Sequence, residues 1–338
     1  MIRYIIRRLL GALLVVFVIS IATFGIYFIA PKVTGSDPSY LYVGRHGTPA
    51  QVAAVRHAFG LDQPLVKQYW TYMSGIFRGR TFTDGVSTQY CPAPCLGYSF
   101  QYQESVTGLI KDRFPVTLSL AIGASIMWLV GGVAVGIISA LKRGTFIDRA
   151  SMVIALAGVS LPVYFTGLLL LFIFTYGPPA LRWFPNAGQG YVPFTQDPWG
   201  WFTSLMLPWI SLAFLFAALY ARLTRASMLE TMGEDYIRTA RAKGLRSRTV
   251  VGKHALRAAL TPIVTIFGLD LAGLLGGAIL TEYTFSLQGL GKLSIDAIAK
   301  QDLPVIMGVV IVGAILLVVA NIVVDVLYAV IDPRVRYS

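Results

Sequence analysis

Six long apolar stretches constrain this chain more than any other feature. Each is about the length that crosses a ~30 Å hydrocarbon layer as a helix. They fall at residues 9–30, 116–141, 151–176, 202–220, 262–281 and 305–331. None contains a lysine or arginine, so all 28 basic residues lie in the connections or at the ends. A charge at the bilayer centre costs at least about 2.5 kcal/mol on insertion scales, which gives that distribution a physical cause. Charged residues are 13% of the 338, roughly half the share of a soluble domain, and mean hydropathy is +0.67. The expectation is an all-α polytopic membrane protein with six transmembrane helices. The first stretch follows Arg3, Arg7 and Arg8 as a signal peptide would. At about 22 residues, however, it exceeds the apolar core of a signal, so it reads as a retained helix.

The net charge of +12 is unevenly placed. One set of connections holds the N-terminus, Lys142, Arg143 and Arg149, nine basics between Arg222 and Arg257, and Arg334 and Arg336. The opposite short loops hold only Arg182, Lys292 and Lys300. The positive-inside rule makes the first set cytoplasmic, with both termini inside. Residues 31–115 then form a large extracytoplasmic loop. This gives three regions: 1–30 with the first helix, 31–115 as an outer cap, and 116–338 as a core of five helices with a cytoplasmic loop at 222–261.

Few residues here could carry enzyme chemistry. The chain has three histidines, all in connections, and two cysteines, so a metal site is not expected. There is no GxSxG turn, and SLQGLGKL at 286–293 lacks the first glycine and the final Ser/Thr of a phosphate loop. Any ATP used must be hydrolysed by another chain. The basic loop carries no nucleic-acid-reading signature. Cys91 and Cys95, in CPAPC on the outer side, read as a local disulfide or as two free thiols. Three acids lie in or at the apolar stretches: Asp270, Glu282 and Asp325. Asp270 reads either as a group facing a water-filled pathway or as a hydrogen bond between helices. Glu282 and Asp325, nearer block ends, read as structural. Gly132-x3-Gly136 and Gly273-x3-Gly277 have spacings that let helices approach closely.

The loop DYIRTARAKGLRSRTVVGKHALRAALTP, residues 235–262, has internal organisation. Residues 235–243 lack Gly and Pro and suit a helix, and Gly244 suits its C′ stop. Ser247 or Thr249 can cap a second short helix, and Thr261–Pro262 suits the N-cap and first turn of the next long one. The loop thus reads as helix, turn, helix and re-entry: a rigid knob able to receive force from a soluble partner.

YIRTARAKGL…HALRAALTPIVT resembles the cytoplasmic EAA loop of ABC importer permeases, in the form of the oligopeptide, dipeptide and nickel branch. Arg238-Thr239-Ala240 stand where the general pattern has Glu-Ala-Ala, and Gly244 is the motif glycine. MIRYIIRRLLGALLVVFVIS, FGLDQPLVKQYW, GGLLGGAILTEYTFSLQGLGKL and NIVVDVLYAVIDPRVRY resemble other segments of the same branch in the same order. Residues 81–95, TFTDGVSTQYCPAPC, look like an insertion.

The resemblance implies the type I importer fold and a non-catalytic permease subunit in the bacterial inner membrane. It implies a second permease as heterodimer partner, two cytoplasmic ATPases that bind ATP and Mg, an extracytoplasmic binding (lipo)protein, lipid around the spans and a peptide substrate. ATPase coupling is expected at Tyr236, Arg238, Thr239, Ala240, Gly244 and Leu245. A nickel or other small-solute permease of the same branch is the alternative within the family. A stand-alone carrier or channel is the alternative from another class.

Overall fold

The computed structural model describes residues 2–29, 39, 48–58, 60–83 and 88–331. The Asp325 side chain, Arg334 and Arg336 of the tail, and residues 84–87 of the 81–95 insertion lie outside the described residues. The chain divides into two compact units. One comprises Met1–Pro115 with Gly289–Val318, the other Val116–Gln288 with Val319–Ser338.

The helices are α1 Ile2–Phe24, continued by a π turn at Gly25–Ile29, α2 Pro49–Ala58, α3 Leu65–Arg78 and α4 Val106–Leu141. There follow α5 Phe146–Ser160, α6 Val163–Phe174, α7 Pro198–Gly233 and α8 Asp235–Ala242. Then come α9 Ser247–Ala259, α10 Thr261–Leu275, α11 Ile279–Thr284, α12 Leu290–Lys300 and α13 Leu303–Ile331. Among the described residues, α4, α7 and α13 are each long and apolar enough to cross a membrane. Two bent pairs, α5–α6 at 104° and α9–α10 at 48°, raise the number of candidate spans to five. The apolar part of α1, Leu10–Phe24, is shorter.

Three segments differ from the sequence expectation. The stretch 151–176 is not one rod, because Leu161 and Pro162 leave the helix in extended backbone and the chain turns sharply there. Pro162 has no N–H to continue the ladder, and it disfavours helix at Leu161. The stretch 202–220 is the middle of a 36-residue helix that runs through Pro208 unbroken. The stretch 262–281 ends early, with α10 stopping at Leu275 and Gly277 at φ +118° before α11.

In the first unit, Phe24, Phe28, Leu61 and Met307 form one cluster. The Gln68 side-chain amide donates to the carbonyls of Leu61 and Gln63, at 3.1 and 2.7 Å, and holds the turn before α3. Strands β1 Arg80–Thr83 and β2 Thr88–Cys91 pair antiparallel, Arg80 opposite Cys91. Cys91 and Cys95 are joined by a disulfide with a Cα separation of 5.6 Å. Strands β3 Tyr98–Ser99 and β4 Glu104–Ser105 pair next. The Ser99 hydroxyl donates to the Asp302 carboxylate, and the Lys300 ammonium sits 4.0 Å over the Tyr102 ring. Burial pushes the Asp302 carboxyl above its usual range, against the opposing pull of the Ser99 hydroxyl.

In the second unit, α4, α5 and α6 pack on α7. Gly132 and Gly136 of α4 lie against Ala217, Tyr220, Ala221 and Thr224, where an added Cβ would fall within 2.5–2.8 Å of α7 atoms. Gly158 of α5 meets the Phe214 carbonyl in the same way. Small residues let these backbones approach closely. The second spacing, Gly273-x3-Gly277, does no such thing. Gly277 lies beyond α10, and a Cβ on Gly273 would meet nothing within 4 Å.

Candidate functional site

Two places in the second unit gather the residues expected to act: the helix-turn-helix at 235–259, and the carboxylates within the apolar helices.

The helix-turn-helix is built from a small buried core and an exposed outer face. Ile237 and Ala240 of α8 are buried with Met228 of α7, Ala140 of α4, and Val250, Ala255 and Ala259 of α9. The Ser227 hydroxyl donates to the Ala259 carbonyl at 3.0 Å and ties α7 to the end of α9. Asp235 starts α8, and the Arg238 guanidinium reaches back to its carboxylate at 3.3 Å. Both side chains are largely in water, so this pair contributes little to stability. The Thr239 hydroxyl donates to the Asp235 carbonyl one turn earlier. Gly244 stands at φ +77°, in the left-handed region that ends helices, and reverses the chain.

The six expected coupling positions therefore separate. Tyr236, Arg238, Thr239, Gly244 and Leu245 are exposed, with Tyr236 46% and Leu245 42% accessible. Ala240 faces inward. Ile237, wholly buried, anchors the helix and went unnoticed in the sequence, although its spacing from Ala240 is that of one helix face.

Two expected caps are absent. Arg246 holds the N-cap position before Ser247, with no side-chain cap bond. Leu260, still helical, precedes Thr261, so α9 runs into α10 through a bend instead of a capped restart. A π turn at Val250–Ala255 continues the helix directly from Thr249, so no new helix start forms at that residue.

Above this knob the Asp148 carboxylate is buried and fully used. Arg225 of α7 donates to both oxygens at 2.7 and 2.9 Å, the Gly144 N–H donates at 2.9 Å, and the Ser139 hydroxyl donates at 2.5 Å. The start of α5 is thereby pinned to α7. Sequence reasoning missed this pair because Arg225 had a sufficient explanation as a cytoplasmic basic residue. The one available signal was Asp148, a lone acid within the basic 142–149 connection.

The carboxylates of the apolar helices have distinct settings. Glu282 of α11 is wholly buried and accepts a hydrogen bond from the Thr117 hydroxyl of α4 at 2.8 Å. Asp270 of α10 is half-buried and accepts one from the Tyr220 hydroxyl of α7 at 2.8 Å. Asp325 lies on α13, and its side chain is outside the described residues. Among the described residues no group of three or more His, Cys, Asp or Glu comes together to hold a metal ion.

Comparison with known proteins gives a consistent result along the chain. Residues 132–337 match the family described as binding-protein-dependent transport system inner membrane component. Residues 1–121 match the N-terminal region of such components. A putative peptide transport system permease protein of Brucella abortus (strain 2308) is 37% identical over 334 residues, 99% of each chain. The glutathione transport system permease protein GsiC of Escherichia coli (strain K12) is 37% identical over 338 residues, 100% of each chain. Among solved structures, a chain of the MetNI methionine ABC transporter in an inward-facing conformation aligns with a TM-score of 0.50 at 19% identity. The alignment covers 67% of this chain and 97% of that one, a likeness of fold. With a family match over more than half its length and full-length relatives at this identity, the chain belongs to the inner-membrane components of binding-protein-dependent transport systems, the non-catalytic permease subunits of ABC importers.

Proposed function

We propose that this chain is one half of the translocation pathway of an ATP-driven importer of di- and oligopeptides. A second, related permease supplies the other half. Two cytoplasmic ATPases bind ATP and Mg and receive the knob at 235–256. An extracytoplasmic binding protein delivers the peptide. The chain crosses the bacterial inner membrane six times, with both termini in the cytoplasm. Residues 31–115 lie outside as a cap, where an oxidising medium keeps the Cys91–Cys95 disulfide closed, and 116–338 form the core. The substrate class rests on the full-length relatives named for peptide and glutathione transport.

The observation that carries the coupling role is the two-sided build of α8. Ile237 and Ala240 lock it to α7 and α9, while Tyr236, Arg238, Thr239 and Leu245 face outward. A helix seated on the span helices and exposed on its other side passes a push from a soluble partner into the membrane. ATP binding and release would then bias two states of the pathway, each preferred by a different partner.

The test is reconstitution. Proteoliposomes holding both permeases and the ATPases, with binding protein and ATP on their proper sides, should accumulate a labelled peptide. Omitting any one component should abolish uptake. Uptake by this chain alone, without ATP, would instead identify a stand-alone carrier.

A further inference from the structure

Three helices of the second unit each send an aromatic residue to one cluster, and Tyr220 links that cluster to Asp270. Trp128 comes from α4, Phe216 and Tyr220 from α7, and Phe267 from α10. The Trp128 ring centroid is 4.6 Å from that of Phe216, 6.3 Å from Tyr220 and 6.2 Å from Phe267. Phe216 and Tyr220 are four residues apart, and Phe267 and Asp270 three, so each pair occupies a single helix face. Trp128 is wholly buried, and its indole N–H finds no acceptor at hydrogen-bonding geometry. Phe216 and Phe267 are only partly buried.

Asp270 itself is unusual. Among the described residues its one polar contact is the Tyr220 hydroxyl on Oδ2, and it has no cationic partner. A carboxylate within an apolar span is costly unless something compensates it. The face it shares with Gly273, Leu269 and Ile266 is not covered by the described residues of this chain: a Cβ built on Gly273 has no neighbour within 4 Å, and Leu269 and Ile266 are exposed. A carboxylate fixed by a tyrosine hydroxyl at the edge of an aromatic cluster is the chemistry that recognises an organic ammonium. It does not suit a hard metal cation, which needs six or more oxygen ligands.

We propose that Asp270, oriented by Tyr220 at the edge of the Trp128–Phe216–Phe267 cluster, is a recognition site for the free α-ammonium of the transported peptide. This rests on the peptide reading of the substrate, since a free α-ammonium is common to linear peptides. The Tyr220 hydroxyl occupies one carboxylate oxygen and fixes the group, leaving Oδ1 for the ammonium. Partial exposure keeps the pairing reversible, as passage requires.

The experiment uses the full reconstituted complex with its binding protein and compares uptake of trialanine with that of Nα-acetyl-trialanine. The preference of the binding protein enters every variant equally and cancels from the comparison. Asp270→Asn should shrink the preference for the free amine about tenfold, the loss expected when a charge-assisted hydrogen bond goes. Uptake of the acetylated peptide should change little. Asp270→Glu should restore most of the preference, and Tyr220→Phe should give an intermediate loss.

An unchanged preference in Asp270→Asn overturns the inference while leaving the peptide reading intact. So does an equal loss of both peptides in Asp270→Asn and Asp270→Glu together with loss of the second permease on purification, which would make the residue a packing group. A wild-type complex that imports neither peptide under ATP removes the peptide reading and this inference with it.

Discussion

Glu282 is wholly buried among apolar helices, and Thr117 donates to it from a helix 165 positions away in sequence. A hydrogen bond to an acidic group is worth more than a neutral one, although polar contacts between membrane helices average well under the soluble value. Thr117→Val keeps the shape and removes the donor. It should destabilise the purified complex by about 1–2 kcal/mol, read in a denaturant titration, and Thr117→Ser should recover most of that. Among single residues, those whose role is local were legible in the sequence. Gly244 was, because a helix without Gly or Pro must stop somewhere and only a left-handed residue stops it sharply. Partners distant in sequence were not: Asp148 with Arg225, Asp302 with Ser99, and Tyr220 with Asp270. Asp270 reads as a pathway group or an interhelical hydrogen bond, yet nothing in the one-dimensional pattern names Tyr220 as its partner, and nothing there marks the other two pairs.

At the scale of elements, α8 and the turn after it are where force would enter. An added Cβ on Gly244 meets nothing within 4 Å, so a larger residue there does not clash. It does strain the left-handed backbone, by about 1–2 kcal/mol for a residue with a Cβ. Gly244→Val should therefore still insert and assemble, yet tilt α8 and lower peptide uptake per ATP hydrolysed several-fold. Normal coupling in this variant would show that Gly244 is not the pivot. The existence of the long elements was readable from apolar runs. Their ends were not, because the runs report depth in lipid whereas helices continue beyond it, as α4 and α7 do with 36 residues each. Pro162 is visible within the stretch 151–176, but the 104° turn beside it is not, since a proline removes a hydrogen bond without dictating where the chain goes next.

At the scale of the whole molecule, the charge asymmetry makes a topological commitment. In a Cys91→Ser, Cys95→Ser background, a cysteine at Arg182 should react with a membrane-impermeant thiol reagent in intact spheroplasts. A cysteine at Ser247 should react only after permeabilisation. Reaction at Ser247 from outside would invert the orientation. The family was legible because its motifs are long and recur in one order along nearly the entire chain, so no single departure, such as residues 81–95, disturbs it.

The length of α7 has a further consequence. Thirty-six helical residues extend about 54 Å, well beyond a ~30 Å hydrocarbon layer. Its charges, Arg222, Arg225 and Glu230, all fall in the last third. That third sets the standoff between lipid and α8, and also the compass bearing of α8, because each residue turns the rod by about 100°. Adding three residues would swing α8 by about 60°, whereas adding seven would lower it by roughly 10 Å with only about 20° of rotation. Height and heading are thus geared together. A soluble partner fitted to this face constrains the length of α7 to steps of about two helical turns, a restriction on insertions that no single residue in the segment imposes.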